Sequence, residues 1–353
     1  MNQERLERFK TLLSVPSKSR NEGLMIEHIS SEIENLVSLG MNVNYYVDDM
    51  GNVYATKGQS NLYPCYVSHS DTVHEIDTIK VIEGNKERPA TFGKDFPKDE
   101  VPSLYAVNNE NKPTGIGGDD KAGIFICLEL LRTLEYCKVA FFVSEEIGCV
   151  GSNNADFEFF DDVSFICQYD APGDHLITEI CSGVRLFEEK GEFIYHAQPL
   201  VEEAYGNPML RQSHPYTDVM ALKRKLPISC INLSCGYYNM HTKFEFIVID
   251  DVERAINAGI SISTLATKRH YFDHEDIQTY TMEYSDEHEL YESTETYWLS
   301  DDVVVYDSEY EDLELTIENF SMNNQIDLTR REALKLYEML AEKFDNTNQY
   351  KLF

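Results

Sequence analysis

Five residues of metal-ligating type follow one another along this chain. They are His69 in VSHSDTV, Asp119 in GIGGDDKAGI, Glu146 in FFVSEEIG, Asp170 in FICQYDAPG and His241 in GYYNMHTKFEF. Two further acids, Asp71 and Glu145, travel with them. Two imidazoles and three carboxylates can hold two zinc ions if one carboxylate bridges. Closed structural zinc sites are built from four Cys and His ligands. An oxygen-rich set instead leaves room for a water between two metals, which is the chemistry of hydrolysis.

Each motif has a physical reading. Residues two apart on a strand face the same way, so Asp71 can take the second ring nitrogen of a metal-binding His69. His74 lies past Thr72-Val73 in a loop and is a spare imidazole. The glycines before Asp119 let the backbone pass close to an ion, and Asp119 is placed to offer one oxygen to each metal. Asp120 opens the helix that follows, where a carboxylate meets the positive end of the helix dipole. The spacing of a phosphate-binding loop is not met. Adjacent Glu145 and Glu146 after a buried strand are costly unless something positive compensates. A pair of zinc ions compensates, and the two acids then divide the labour. Glu146 ligates, while Glu145 takes the water's proton and passes it to the leaving amine. Each motif alone is ordinary; their order together carries the reading.

The elements that must position these residues are legible as periodicity. Leu6, Phe9, Leu12 and Leu13, and then Met25, Ile26, Ile29, Ile33 and Leu36, repeat at helical spacing. Residues 41–47 alternate as a strand, and 53–56 continue as another after a turn. Apolar runs at 63–68, 139–143, 163–168, 177–181 and 228–233 read as strands. Helices are expected at 122–134, 193–205, 217–225 and 251–265. Residues 77–113 hold four prolines and read as loops or an edge hairpin. Strands alternating with helices predict an α/β fold, a mostly parallel mixed sheet sandwiched by helices. Ligands in such sheets sit beyond the carboxyl ends of the strands. His69, Glu146 and Asp170 follow their apolar runs almost directly, and Asp119 and His241 arrive through glycine turns.

Composition bounds the rest. The chain has 353 residues and a net charge of −32, which argues against nucleic acid or an anionic membrane as partner. No apolar run reaches the ~18 residues of a membrane span, and the charged N-terminus lacks a signal-peptide pattern. A cytoplasmic location is expected. The eight cysteines are scattered, with Cys127, Cys167 and Cys230 inside apolar runs as core residues. Residues 1–270 read as the catalytic domain. In residues 271–353, the stretch 271–320 has 17 acids, seven tyrosines and no Lys or Arg. We expect strands around 303–306 and 313–317 and an amphipathic helix over 329–344, forming a small acidic appendage.

The order His-x-Asp, Gly-x-Asp-Asp-Lys-Ala-Gly, Glu-Glu, Asp and Gly-Tyr-x-x-x-His resembles the co-catalytic dizinc exopeptidases. The wording at 69–72, 118–124 and 239–246 is most like the peptidase T family of tripeptide aminopeptidases. The resemblance spans about residues 3–268. It implies one zinc on His69, Asp119 and Asp170 and another on Asp119, Glu146 and His241. It makes Glu145 the general base and acid, and Asp71 the hydrogen-bonding partner of His69. Thr217-Asp218 resembles the family's Thr-Asp motif and receives no role here. Peptidase T-like enzymes carry a lid or dimerisation domain before that motif, whereas only 46 residues separate Asp170 from Thr217. The lid domain is therefore expected to be absent.

The implied activity is aminopeptidase cleavage of short peptides, with two zinc ions, or cobalt or manganese in their place. An amidohydrolase or carboxypeptidase acting on N-acylated amino acids is the second reading. A non-catalytic interaction protein working through the acidic C-terminal segment is the third.

Overall fold

The computed structural model describes residues 1–75, 79–88, 100–214 and 216–273, and the backbone of four strands between 296 and 328. The chain forms two compact units, Met1–Gln278 and Thr279–Phe353.

The first unit opens with helices α1 (Gln3–Leu13) and α2 (Gly23–Ser38). Their buried residues keep the expected spacing: Leu6, Phe9, Leu12 and Leu13, then Met25, Ile29, Ile33 and Leu36. Asn2 caps α1 by accepting a hydrogen bond from the Arg5 backbone N–H. Arg5 and Arg8 both reach the buried carboxylate of Glu129, and Arg5 also pairs with Glu253 at 2.8 Å.

The chain then runs through β1 (Val43–Val47), β2 (Val53–Lys57), β3 (Tyr63–His69), β4 (Lys80–Glu87), β5 (Glu100–Val107) and β6 (Pro113–Thr114). Next come α3 (Gly118–Thr133), β7 (Cys137–Phe142), α4 (Val150–Asn153), β8 (Val163–Ala171), β9 (Leu176–Cys181) and β10 (Val184–Arg185). The unit continues with α5 (Glu192–Tyr205), β11 (Leu210–His214), α6 (Asp218–Lys223), β12 (Cys230–Ser234), β13 (Tyr237–Tyr238), β14 (Phe246–Val248) and α7 (Ile249–Ser263).

Nine strands make the main sheet, in the order β1-β2-β7-β3-β8-β12-β9-β10, with β11 also on β9. The centre is parallel: β3 pairs with β7 and β8, and β12 with β8. Outward of that centre, β1, β2, β9 and β10 join by antiparallel pairs. Every residue of the four central strands is buried, the pattern of a parallel sheet covered on both faces. The fold is therefore the expected mixed α/β sandwich, parallel where it carries the candidate ligands.

Three details differ from expectation. The 77–113 excursion is a hairpin of β4 and β5 within a second sheet, order β13-β14-β5-β4 with β6 on β5, rather than an edge of the main one. The last central strand begins at Cys230, because Ile228 bridges instead to Tyr271. The helix expected over 217–225 is shorter, with Thr217 at its N-cap position and Pro227 shortly beyond its end. The described residues between Asp170 and Thr217 supply β9, β10 and β11 of the main sheet and helix α5.

All eight cysteines are buried and free, with Cys127, Cys167 and Cys230 in the core. No described helix is long and apolar enough to cross a membrane. The second unit contains a four-stranded antiparallel meander, β15 (Thr296–Ser300), β16 (Val303–Asp307), β17 (Leu315–Asn319) and β18 (Asn324–Leu328). The helix expected over 329–344 lies outside the described residues.

Candidate metal centre

The carboxyl ends of the central strands deliver the site. β3 ends on His69, β7 leads into Ser144-Glu145-Glu146, and β8 carries Asp170 one residue before its end. Asp119 enters through Gly117, whose φ of 68° needs the left-handed region that glycine tolerates. A methyl group at Gly118 would lie 2.8 Å from Tyr237 and 2.9 Å from Ile247, so only glycine fits there. His241 follows the turn at Gly236 and itself sits at φ 60°.

These loops bring all five candidate ligands together. Asp119 stands between the two histidines, with Oδ1 3.1 Å from His69 Nε2 and Oδ2 3.2 Å from His241 Nε2. Asp170 Oδ1 lies 3.6 Å from His69 Nε2, and Glu146 Oε2 lies 3.2 Å from His241 Nε2. The arrangement thus has two halves, His69 with Asp170 and His241 with Glu146, sharing one carboxylate. His241 is the open side, with its side chain 46% exposed; the other four are almost wholly buried.

The supporting acids fall where the sequence puts them. Asp71 Oδ1 lies 3.3 Å from His69 Nδ1, and the Asp71 carbonyl lies 3.0 Å from the same nitrogen. The Asp71 carboxylate also accepts the backbone N–H of Glu145 at 2.9 Å and of Glu146 at 3.3 Å. It thereby ties the β3 end to the β7 loop. Glu145 is buried, and its Oε2 lies 4.0 Å from His69 Nε2. Asp120 also comes within reach of His69 and Asp170. Its oxygens are already engaged, one by the Ser68 hydroxyl at 2.6 Å and the other by the Gly123 N–H at 3.0 Å. We assign it to helix capping rather than to a metal.

Several supporting residues carry no sequence signal of their own. Glu245 accepts the Gly117 N–H at 2.8 Å and the Asp119 N–H at 3.0 Å, and His74 Nε2 lies 3.0 Å from it. His74 is therefore a brace of the glycine loop and not a spare ligand. Glu22 accepts the N–H and the hydroxyl of Ser144. Asn232, one strand over, clamps the backbone of Asp170 through two hydrogen bonds. Thr217 donates to Asp170 Oδ2 at 2.7 Å, which gives the Thr-Asp motif a position. Among these, the sequence pointed to Glu245, in the run that ends Glu-Phe after His241, and to Thr217, in the Thr-Asp motif.

Electrostatics favours a cation here. Burial pushes the Glu145 carboxyl well above its ordinary value, with Asp170, Asp218 and Glu146 adding to the effect. Burial likewise raises Glu146 and Asp170, each helped by the charge of Asp119. Burial opposes the charging of His69, yet Asp170 and Asp119 lift it well above the usual imidazole range. Hydrogen bonds to Asp119 and Glu146 push His241 up to about 11. These acids stabilise positive charge at both rings, which a bound cation would supply in their place. Glu146 Oε1 is buried without a hydrogen-bond partner among the described residues, as an unused ligand atom would be. Two imidazoles and three carboxylates around these points fit zinc, and the same set accepts cobalt or manganese.

No protein-family model matches the sequence, and no curated protein matches it. Solved structures do. An aminopeptidase PepT from Bacillus cereus superposes with a TM-score of 0.60 at 15% identity, covering 76% of this chain and 100% of its own. A tripeptidase from Staphylococcus aureus has a TM-score of 0.57 at 15% identity, covering 75% and 99%. The TET1 peptidase of Pyrococcus horikoshii has 0.51 at 15% identity, covering 74% and 99%. At such identity the likeness speaks to architecture. The chain has the α/β fold of these peptidases, the fold that its own motifs imply.

Proposed function

We propose that this chain is a dizinc-dependent aminopeptidase of short peptides. The observation that carries the reading is the Asp119 carboxylate, one oxygen toward each histidine, with the buried Glu145 beside it. The architecture shared with an aminopeptidase and a tripeptidase supports it. In this reading His69, Asp119 and Asp170 hold one metal, and Asp119, Glu146 and His241 the other. When bound, the ions supply an acidified water and polarisation of the scissile carbonyl.

The chain's own residues do the rest. Asp71 orients His69 and fixes which ring nitrogen faces the centre. Glu145 removes a proton from water and returns it to the leaving amine. Burial, which raises its carboxyl, makes it a better base than a solvated glutamate. The secondary-structure elements among the described residues between Asp170 and Thr217 are strands of the main sheet and α5, so we read the chain as a catalytic core without a lid.

The test is mass spectrometry of a peptide pool containing free and N-acetylated versions of each sequence, incubated with zinc-loaded protein. Loss of N-terminal residues from free peptides only is expected, and Glu145→Gln should abolish it. Cleavage confined to acetylated substrates would move the assignment to a deacylase or carboxypeptidase.

A further inference from the structure

Glu145 has two oxygens in different surroundings. Oε2 faces the centre, 4.0 Å from His69 Nε2. Oε1 faces away and accepts a hydrogen bond from the Cys149 thiol, with sulfur at 3.6 Å. Cys149 is fully buried. It is held by a turn that folds back on Glu145: the N–H groups of Gly148 and Cys149 both donate to the Glu145 carbonyl at 2.8 Å. The Cys149 carbonyl in turn accepts the backbone N–H and the side-chain amide of Asn153, each at 2.9 Å. These bonds fix the Cys149 backbone beside Glu145. Burial, with Asp218 and Glu145 nearby, also keeps it protonated and so a donor.

We propose that Cys149 is a positioning residue that reserves Oε2 of Glu145 for the proton in transit. The inference rests on the peptidase reading above. A base that must return its proton to the leaving group has to carry it on the oxygen that faces the substrate. The thiol's hydrogen bond draws on the charge of Oε1 and lowers its proton affinity, so the proton is taken by Oε2. The step then balances on Oε2. A water proton moves to Oε2, and the hydroxide oxygen bonds to the scissile carbonyl carbon. The C–N bond breaks as its electron pair and the proton from Oε2 end on nitrogen. An amine and a carboxylic acid leave, and Glu145 is a carboxylate again. A thiol is a weak donor, so it directs the carboxylate without holding its charge as firmly as a hydroxyl would.

The role separates from simple scaffolding by leaving group. An amide nitrogen must be protonated to depart, whereas p-nitrophenoxide leaves without a proton. Cys149→Ala should lower kcat on a leucyl peptide by about 10- to 100-fold, within the range of general-acid effects. On leucine p-nitrophenyl ester, after subtraction of the Glu145→Gln rate, the change should be under about threefold on the same basis. KM and bound zinc should stay at wild-type values, and Cys149→Ser should restore most of the peptide rate. Cys149→Gly, which the φ of 48° accommodates, supplies a second variant lacking the donor if alanine fails to fold. Equal losses on peptide and ester, or no loss on either, overturn the inference. A wild-type chain that cleaves no free peptide refutes the peptidase reading instead.

Discussion

Glu245→Gln tests how the shared carboxylate is held in place. Glu245 is 1% exposed, and its two oxygens receive the backbone N–H groups of Gly117 and Asp119 and face His74 Nε2. Glutamine keeps the shape but offers one acceptor oxygen. Its NH2 must then confront either Asp119 N–H or the Gly117 and His74 side. A hydrogen bond to a charged group contributes ~1.5–3 kcal/mol, and a buried donor left unmade costs ~1–3 kcal/mol. One lost bond on this loop is therefore worth about 2 kcal/mol, or roughly 30-fold in an equilibrium constant. That loss falls on the segment presenting Asp119. We expect zinc affinity to drop by about 10- to 100-fold, as for other residues that orient metal ligands. Calorimetric zinc titration against a competing chelator measures it, with thermal melting alongside. If Glu245→Gln binds both ions as tightly as wild type, the loop is not held by this carboxylate and the reasoning fails.

Other outcomes follow from the same geometry. Glu145→Gln should bind zinc normally yet lose turnover by about three orders of magnitude, within the range of general base effects; full activity with normal metal content would remove Glu145 from its role. Metal-free protein should become less stable as pH rises. Asp218, pushed up to about 7 by burial, binds its proton in the folded state at pH values where the unfolded chain has lost it. His241, raised to about 11, contributes stability that is full below the unfolded imidazole value of ~6.5 and is lost as pH rises through its folded value. Both signs agree, and below about pH 7, where Lys121, pushed down to about 7 by burial, adds no opposing trend, melting of chelator-treated protein should fall from about pH 4 upward; a rise would contradict the buried-acid account. Gly118→Ala should destabilise by about 2 kcal/mol or more, because its methyl group meets Tyr237 and Ile247; chemical denaturation reads this directly. A chain ending at Gln278 should fold and bind zinc, since every candidate ligand lies in the first unit; an aggregated or zinc-free product would count against that unit's independence.

The sequence was legible where chemistry and periodicity coincide. His69, Glu146 and Asp170 could be placed at strand ends because 63–68, 139–143 and 163–168 are largely apolar runs, as buried parallel strands are. Asp119 and His241 were legible through glycine turns. What escaped was whatever depends on distant pairing. Glu22 lies 122 residues from Ser144, and neither local pattern mentions the other. Glu245 and His74 meet across 171 residues. The second sheet was also hidden, because β5 takes its partner β14 from beyond residue 240 and the hairpin alone reads as an edge. Asp120 and Asp119 are chemically alike in sequence. Only the donors around Asp120 separate a helix cap from a ligand.

The ion pairs of α1 bear on how the first unit assembles. Arg5 and its partner Glu253 lie 248 positions apart. Glu129, which Arg5 and Arg8 also grip, comes midway. The opening helix therefore packs first on α3, with Phe9 stacked on Phe125, and completes its ion pairs only when α7 has been made. Such sequence-distant closure slows folding. It also brings the start of α1 to α7. A circularly permuted chain that links α7 to α1 and opens at an exposed turn keeps every one of these contacts and makes the Arg5–Glu253 pair local in sequence.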